Sequence, residues 1–260
     1  MYNNNVIVTA LFDINREKSG DGRKIQDYLE WFSKTLQLKC DFVVFTEDRF
    51  VDFVNTQRAG SDYKTRIIVQ KLDQVPFYKE IENIRTTISS REYKERMMDT
   101  SRIECFLPEY NVIQYSKFGW LSHVCQKFEY DNYIWMDAGC SRFFGSFDLK
   151  SNWPDGSKFL PGKLTIQGNQ NFVNSFGEMV PDEYIWNNNC MLVGTLFGGD
   201  KSVILKVMTE IEKIYIRYLE QGCVNNEQIP LAILAKENNE LFNIIVRLDW
   251  THLPIFQILK

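Results

Sequence analysis

The run NYIWMDAGCSR, residues 132–142, is apolar and aromatic up to Met136 and then turns to a carboxylate, Asp137, followed at once by Ala138 and Gly139. An acid that ends an apolar strand lies where α/β sheets take ligands, outside the carboxyl ends of their strands. Facing a pocket, it can hold a divalent cation that neutralises a diphosphate, and the small residues beside it let a ligand approach closely. The same three residues also suit a plain turn, because Asp starts turns and Gly permits their backbone angles. Further polar groups fall at other expected strand ends: Thr9 to Arg16 after the first strand, and Thr46, Glu47 and Asp48 after the second. The segment PDEYIWNNNCM (181–191) groups two acids, Trp186 and three asparagines including Asn187 and Asn189. That mix offers the stacking face and amide hydrogen bonds of a sugar site, or equally a polar loop around a buried Trp.

These residues need a scaffold, and the hydrophobic pattern supplies one. VIVTALFDI (6–14) is a continuous apolar run of the kind buried on both faces of a sheet. Ile25, Tyr28, Leu29, Phe32 and Leu36 then recur at helical spacing within 24–38, and CDFVVFTED (40–48) returns to a short strand ending in acids. A third strand is expected over 65–72, a charged surface helix over 78–97 and a second amphipathic helix over 109–128, which leads into the Asp137 strand. From 143 to 200, Gly, Pro and Asn punctuate short β-like pieces, KLTIQGN and NCMLVGTLFGG among them, with no long helix. A strong helix follows over 201–222, ending at Gly222. Alternating strands and helices predict an α/β class, and no internal repeat or linker divides the chain.

Composition narrows the partners. With 260 residues, 44% of them hydrophobic, one compact domain over 1–260 is expected. The net charge of −4 with scattered Lys and Arg leaves no basic stripe for nucleic acid. Six widely separated cysteines form no C-x-x-C pair, which fits reduced thiols in a cytoplasmic protein. No run reaches transmembrane length, and the first apolar run is too short and wrongly flanked for a signal peptide. There is no G-x-G-x-x-G after the first strand and no P-loop, so dinucleotide-fold and P-loop chemistry lose their main support.

VTALFDINR near the start, YLEWF in the first helix, SKFGWL before the Asp137 strand and WMDAG at its end together resemble the WlaTC/HtrL (YibB-like) family of bacterial sugar transferases. The resemblance covers most of the chain. It implies a GT-A glycosyltransferase fold, a single Rossmann-like mixed sheet flanked by helices, with a nucleotide-sugar-binding half (1–142) and an acceptor half (143–260). In GT-A enzymes a D-x-D element holds the metal and the donor's ribose and diphosphate. WMDAG looks like a variant, with Asp137 on the first carboxylate and Gly139 in place of the second, which leaves fewer hard oxygens than Mn²⁺ or Mg²⁺ prefers. His252 in DWTH is the implied second metal ligand, or else a surface or capping His.

On this resemblance Thr9, Ala10, Phe12 and Arg16 line the nucleotide of a UDP-linked donor, with Thr46 and Asp48 beside them. Trp135, Ala138 and Gly139 flank Asp137 at the donor. Lys117 would reach the diphosphate as a point charge, or is a solvated helix Lys. GTLFGGDKSVILKVMTEI followed by NNEQ is also similar to a stretch of the blood-group-type retaining α-galactosyl and N-acetylgalactosaminyl transferases. That match puts Glu227 at the anomeric centre as nucleophile or stabiliser, with Val193, Gly194 and Thr195 in the donor-sugar pocket. Glu227 is equally suited to the start of a helix. Trp186, Asn187 and Asn189 would meet a glycan or glycolipid acceptor in surface polysaccharide or lipooligosaccharide assembly, at the inner membrane face. A sugar nucleotidyltransferase, and a carbohydrate- or nucleotide-binding protein without catalysis, are the alternatives.

Overall fold

A computed structural model describes residues 4–145, 153–246 and 255–260. Its seven strands are β1 (Asn5–Leu11), β2 (Asp41–Thr46), β3 (Thr65–Val69), β4 (Asn132–Met136), β5 (Leu164–Gly168), β6 (Leu192–Gly199) and β7 (Phe242–Val246). They form one sheet in the order β3-β2-β1-β4-β6-β5-β7. Strands β1 to β4 are mutually parallel, β6 runs antiparallel to both β4 and β5, and β7 is parallel to β5. The class is therefore the expected one: α/β, a single mixed Rossmann-like sheet flanked by helices.

The continuous apolar run of β1 is explained by its place between β2 and β4. Alternate residues serve opposite faces. Val6 and Val8 join a core with Val112, Leu121, Val207 and Leu231, whereas Ile7 and Leu11 join another with Phe32, Val54 and Trp153. The helices above the first face are α4 (Ile81–Ser89), α6 (Pro108–Lys127), α9 (Lys201–Glu220) and α10 (Gln228–Glu237); α2 (Ile25–Thr35) and α3 (Val51–Arg58) cover the second. Short helices α1 (Arg16–Ser19), α5 (Arg91–Arg96), α7 (Gln170–Ser175), α8 (Pro181–Tyr184) and α11 (Ile255–Ile258) complete the set.

The helix expected over 78–97 is broken, because Ser90 adopts an extended conformation and its hydroxyl accepts from Tyr93 N at 3.1 Å, capping a new helix. Nor does its first part lie on the surface: α4 buries Ile81, Ile84, Thr87 and Ile88. The punctuated middle of the chain holds β5, β6 and two short helices, as the absence of helical periodicity implied.

Helix α6 crosses over the sheet centre and is buried over much of its circumference, with eleven of its twenty residues buried, Asn111, Ser116 and Lys117 among them. The segment SKFGWL locks it there. Ser116 Oγ accepts from Phe77 N at 3.1 Å, Phe118 stacks on Phe197 and Trp120 stacks on Trp135. Gly119 lets the helix meet Pro76, since a Cβ there would lie 2.5 and 2.7 Å from two ring carbons of that proline. Gly119→Ala should therefore push α6 off its seat despite its better helix propensity. The expected cost is about 1–3 kcal/mol, read as a fall in the urea midpoint.

Candidate active site

The chain order turns back between β1 and β4: β2 and β3 build outward on one side, and β4 starts the other. Crevices for ligands open at such switch points, beyond the carboxyl ends of the strands. A cleft, partly open to solvent, lies there. Ala10, Phe12 and Asp13 from the end of β1, Trp135 and Asp137 to Gly139 from the end of β4, and Tyr110, Gln114 and Lys117 from α6 contribute to its wall.

Lys117 is the floor of this cleft and is only 2% exposed. Its ammonium lies 2.6 Å from Glu227 Oε1, 3.0 Å from Asp137 Oδ1 and 3.2 Å from the Gly194 carbonyl oxygen. An ammonium has three protons, so three acceptors occupy them all. Burial works against the charge, but Asp137 and Glu227 outweigh it and hold the Lys117 pKa above the usual lysine value. Asp137 Oδ1 also accepts from Trp135 Nε1 at 2.8 Å, since Trp135 lies two residues back on the same side of β4. Its other oxygen, Oδ2, has no protein partner among the described residues, and the side chain is 27% exposed to the cleft.

Glu227 lies behind Lys117, 2% exposed, with Oε2 buried and unpartnered among the described residues. Burial pushes its carboxyl up, Lys117 draws it back and Asp137 raises it, leaving a pKa of about 7. A role at an anomeric centre needs this carboxylate on the cleft wall. It is instead a buried partner of Lys117, 2.6 Å from its ammonium. Lys117 is likewise neither solvated nor free to donate to a phosphate.

The remaining expectations divide cleanly. Ala10, Phe12, Arg16, Trp135, Ala138 and Gly139 line the cleft with Asp137 and Lys117. Thr9 points into the sheet core with a buried, unpartnered hydroxyl, Thr46 Oγ1 donates to the Leu11 carbonyl at 2.8 Å, and Asp48 is exposed at the start of a helical turn. None of these three reaches the cleft wall. On β6, Gly194 offers its carbonyl to Lys117 and Thr195 accepts from Asp137 N at 2.9 Å, while Val193 packs on the α2 face of the sheet. Trp186 is core, with Arg96 3.8 Å above its ring, whereas Asn187 and Asn189 line a separate groove with Glu178, Glu183 and Tyr184. His252 lies outside the described residues.

Sequence reasoning missed Asp13, Arg23, Tyr28, Tyr110, Gln114 and Arg142, all on the wall. Counting back from Lys117 by three and seven on a helix gives Gln114 and Tyr110, a signal that was available. Arg16 is pinned by Asp21 through two bonds of 3.0 and 2.5 Å, donates to the Tyr28 hydroxyl at 2.6 Å and lies 5.0 Å over the Tyr110 ring.

Among the described residues, the donor set around Asp137 does not fit a divalent cation. Mn²⁺ and Mg²⁺ prefer several hard oxygens, yet Oδ1 is held by two donors, one of them the Lys117 ammonium 3.0 Å away. Gly139 brings no side-chain oxygen, and a Cβ there would lie 3.2 Å from Trp31 and 3.4 Å from Tyr28. Among the described residues no cluster of three or more His, Cys, Asp or Glu is placed to hold a metal.

Fold and cleft together define an α/β protein with an ionic site at the switch point of its sheet. The chain belongs to the HtrL_YibB family, described as bacterial proteins of unknown function, whose sequence pattern it matches over residues 3–259. Among solved structures it is similar to mouse xyloside xylosyltransferase 1 in its apo form, at 9% identity and a TM-score of 0.41, over 93% of this chain and 84% of that one. It is also similar to core-mannan synthase A from Aspergillus fumigatus in an Mn/GDP form, at 10% identity and a TM-score of 0.49, over 94% and 72% of the two chains. No curated protein matches it.

Two outcomes follow from the ionic cluster. Lys117→Met leaves two carboxylates facing each other without their cation and should lower stability by about 3–5 kcal/mol in urea unfolding. For Glu227, the folded pKa of about 7 lies above the ordinary 4.5, so the folded chain holds this proton more tightly than the unfolded chain. Ionising Glu227 thus costs stability that is lost as pH rises from 4.5 to about 7, up to about 3 kcal/mol. Glu227→Gln removes that titration, so its stability relative to wild type should climb across this interval and level off above it. A difference that stays flat with pH would contradict the buried proton.

Proposed function

We propose that the protein is a GT-A-type glycosyltransferase that moves a sugar from a nucleotide-sugar donor to a glycan or glycolipid hydroxyl. The observation that carries this is Asp137 at the switch-point cleft, with one oxygen fixed by Lys117 and Trp135 and the other open. An open, oriented carboxylate oxygen suits a ribose hydroxyl, and the three arginines on the same wall suit a diphosphate. The resemblance carried by the WMDAG and FDINR segments supports the same class.

In finer terms, the donor is a UDP-linked hexose or N-acetylhexosamine bound by the half 1–142, and the acceptor meets the half 143–260. The groove beside Asn187 and Asn189 is the acceptor candidate, with Trp186 as its buried support. The product belongs to surface polysaccharide or lipooligosaccharide assembly at the cytoplasmic face of the inner membrane; among the described residues no helix is long and apolar enough to cross that membrane. One observation favours a binding protein without turnover: the carboxylate expected at the anomeric centre, Glu227, is sealed behind Lys117.

A melting screen with UDP, GDP and CMP sugars, followed by NMR of donor hydrolysis, tests both. The expected result is a UDP-sugar that raises the melting temperature and releases free sugar, with the first anomer reporting the stereochemistry. Asp137→Asn should weaken UDP binding about ten- to a hundredfold, as the loss of a charge-assisted hydrogen bond does. No shift with any nucleotide sugar would defeat the transferase assignment, and binding without hydrolysis or transfer would favour the non-catalytic one.

A further inference from the structure

The wall of the switch-point cleft carries four cations, Arg16, Arg23, Lys117 and Arg142, against two carboxylates, Asp13 and Asp137. On the wall itself cations outnumber acids, on a chain of net charge −4. Lys117 cannot serve an anionic ligand, since its three protons are on Asp137, Glu227 and Gly194. The guanidiniums can.

They reach the cleft from three places: Arg16 from α1, Arg23 from the loop before α2, and Arg142 from the helical turn after β4. Arg16 is the rigid one, held by Asp21, Tyr28 and the Tyr110 ring. Arg23 has its carboxylate contact with the same Asp21, at 3.4 Å, so one acid serves two guanidiniums. Arg142 rests 5.2 Å over the Trp31 ring and has no carboxylate partner among the described residues. Two positive charges are therefore incompletely balanced beside an Asp137 whose surroundings do not suit a divalent ion.

We infer that Arg16, Arg23 and Arg142 form a guanidinium cradle that binds the diphosphate of the ligand without a divalent cation, while Lys117 acts only to position Asp137. The planar forks of Arg match phosphate oxygens in pairs, which a point-charge ammonium does not. Identifying the diphosphate as part of a nucleotide sugar rests on the proposed function; the cradle itself is tested apart from it.

Calorimetric titration of the full chain with inorganic pyrophosphate and with UDP, each in EDTA and in Mn²⁺ or Mg²⁺, makes the separation. Both should bind in EDTA within about twofold of their affinity with metal. The double variant Arg23→Gln/Arg142→Gln, at two exposed positions, should keep its melting temperature and weaken both ligands by at least about tenfold. Pyrophosphate binding in EDTA with no binding of any nucleoside diphosphate would uphold the cradle and defeat the nucleotide-sugar assignment. Binding of UDP only when Mn²⁺ or Mg²⁺ is present would overturn the cradle and leave that assignment standing. Unchanged affinity in the double variant, or no binding of either ligand under any condition, would also overturn it.

Discussion

The ammonium of Lys117 is bonded on all sides by protein, and the geometry of the cleft floor depends on that closure. Taking one charge of this size out of water costs several kcal/mol, so a buried Lys persists only where its surroundings return that energy. Here Asp137, Glu227 and the Gly194 carbonyl do so from three different elements: the end of β4, the start of α10 and the middle of β6. Each bond therefore ties one element to α6. Removing the ammonium would not delete a single contact but release the acids from one another's neighbourhood.

The sheet must be mixed for this to work. Because β6 runs against β4, its Gly194 and Thr195 arrive beside Asp137, and Thr195 O accepts from Asp137 N at 2.9 Å. Glycine at 194 is required by the neighbour rather than by the backbone, since a Cβ there would collide with the Glu227 carboxylate. The same closeness that seals Glu227 raises its pKa to about 7, with burial the main cause. Sealed behind Lys117, that carboxyl bears on the field under Asp137 through the ammonium the two acids share.

How much of this the sequence disclosed depended on whether neighbours were close in the chain or only in space. Strand β1 was legible as a central strand because its apolar run is nearly continuous, as burial on both faces requires, and α9 because its apolar stripe is long. The placing of Asp137 at a strand end was legible for the same local reason. Thr9 misses the cleft because it lies inside β1 with its hydroxyl buried in the sheet, whereas Ala10, Leu11 and Phe12 at the strand end line the cleft. Glu227 lies 110 residues from Lys117, so nothing local could show that its carboxylate would be consumed by an ion pair. SKFGWL was recognisable as a pattern before any residue in it had a reason; the reasons are a capped Phe77 amide, a clamp, a stacked Phe, a close approach to Pro76 and a Trp stack.

Two kinds of cation thus do different work within one cleft. The flexible, strongly hydrated ammonium sits where hydration has been replaced completely, and its position is set by three acceptors it cannot leave cheaply. The guanidiniums stand at the wall, one rigid and two with charge to spare, where their ligand must come from solvent. A metal at Asp137 would have to share a carboxylate with the ammonium that organises it, against a repulsion of about 4 kcal/mol per unit charge at 4 Å in a surface-like dielectric. Separating the fixed cation from the ligand-facing ones avoids that conflict, because the anion then meets charge that the fold does not already use.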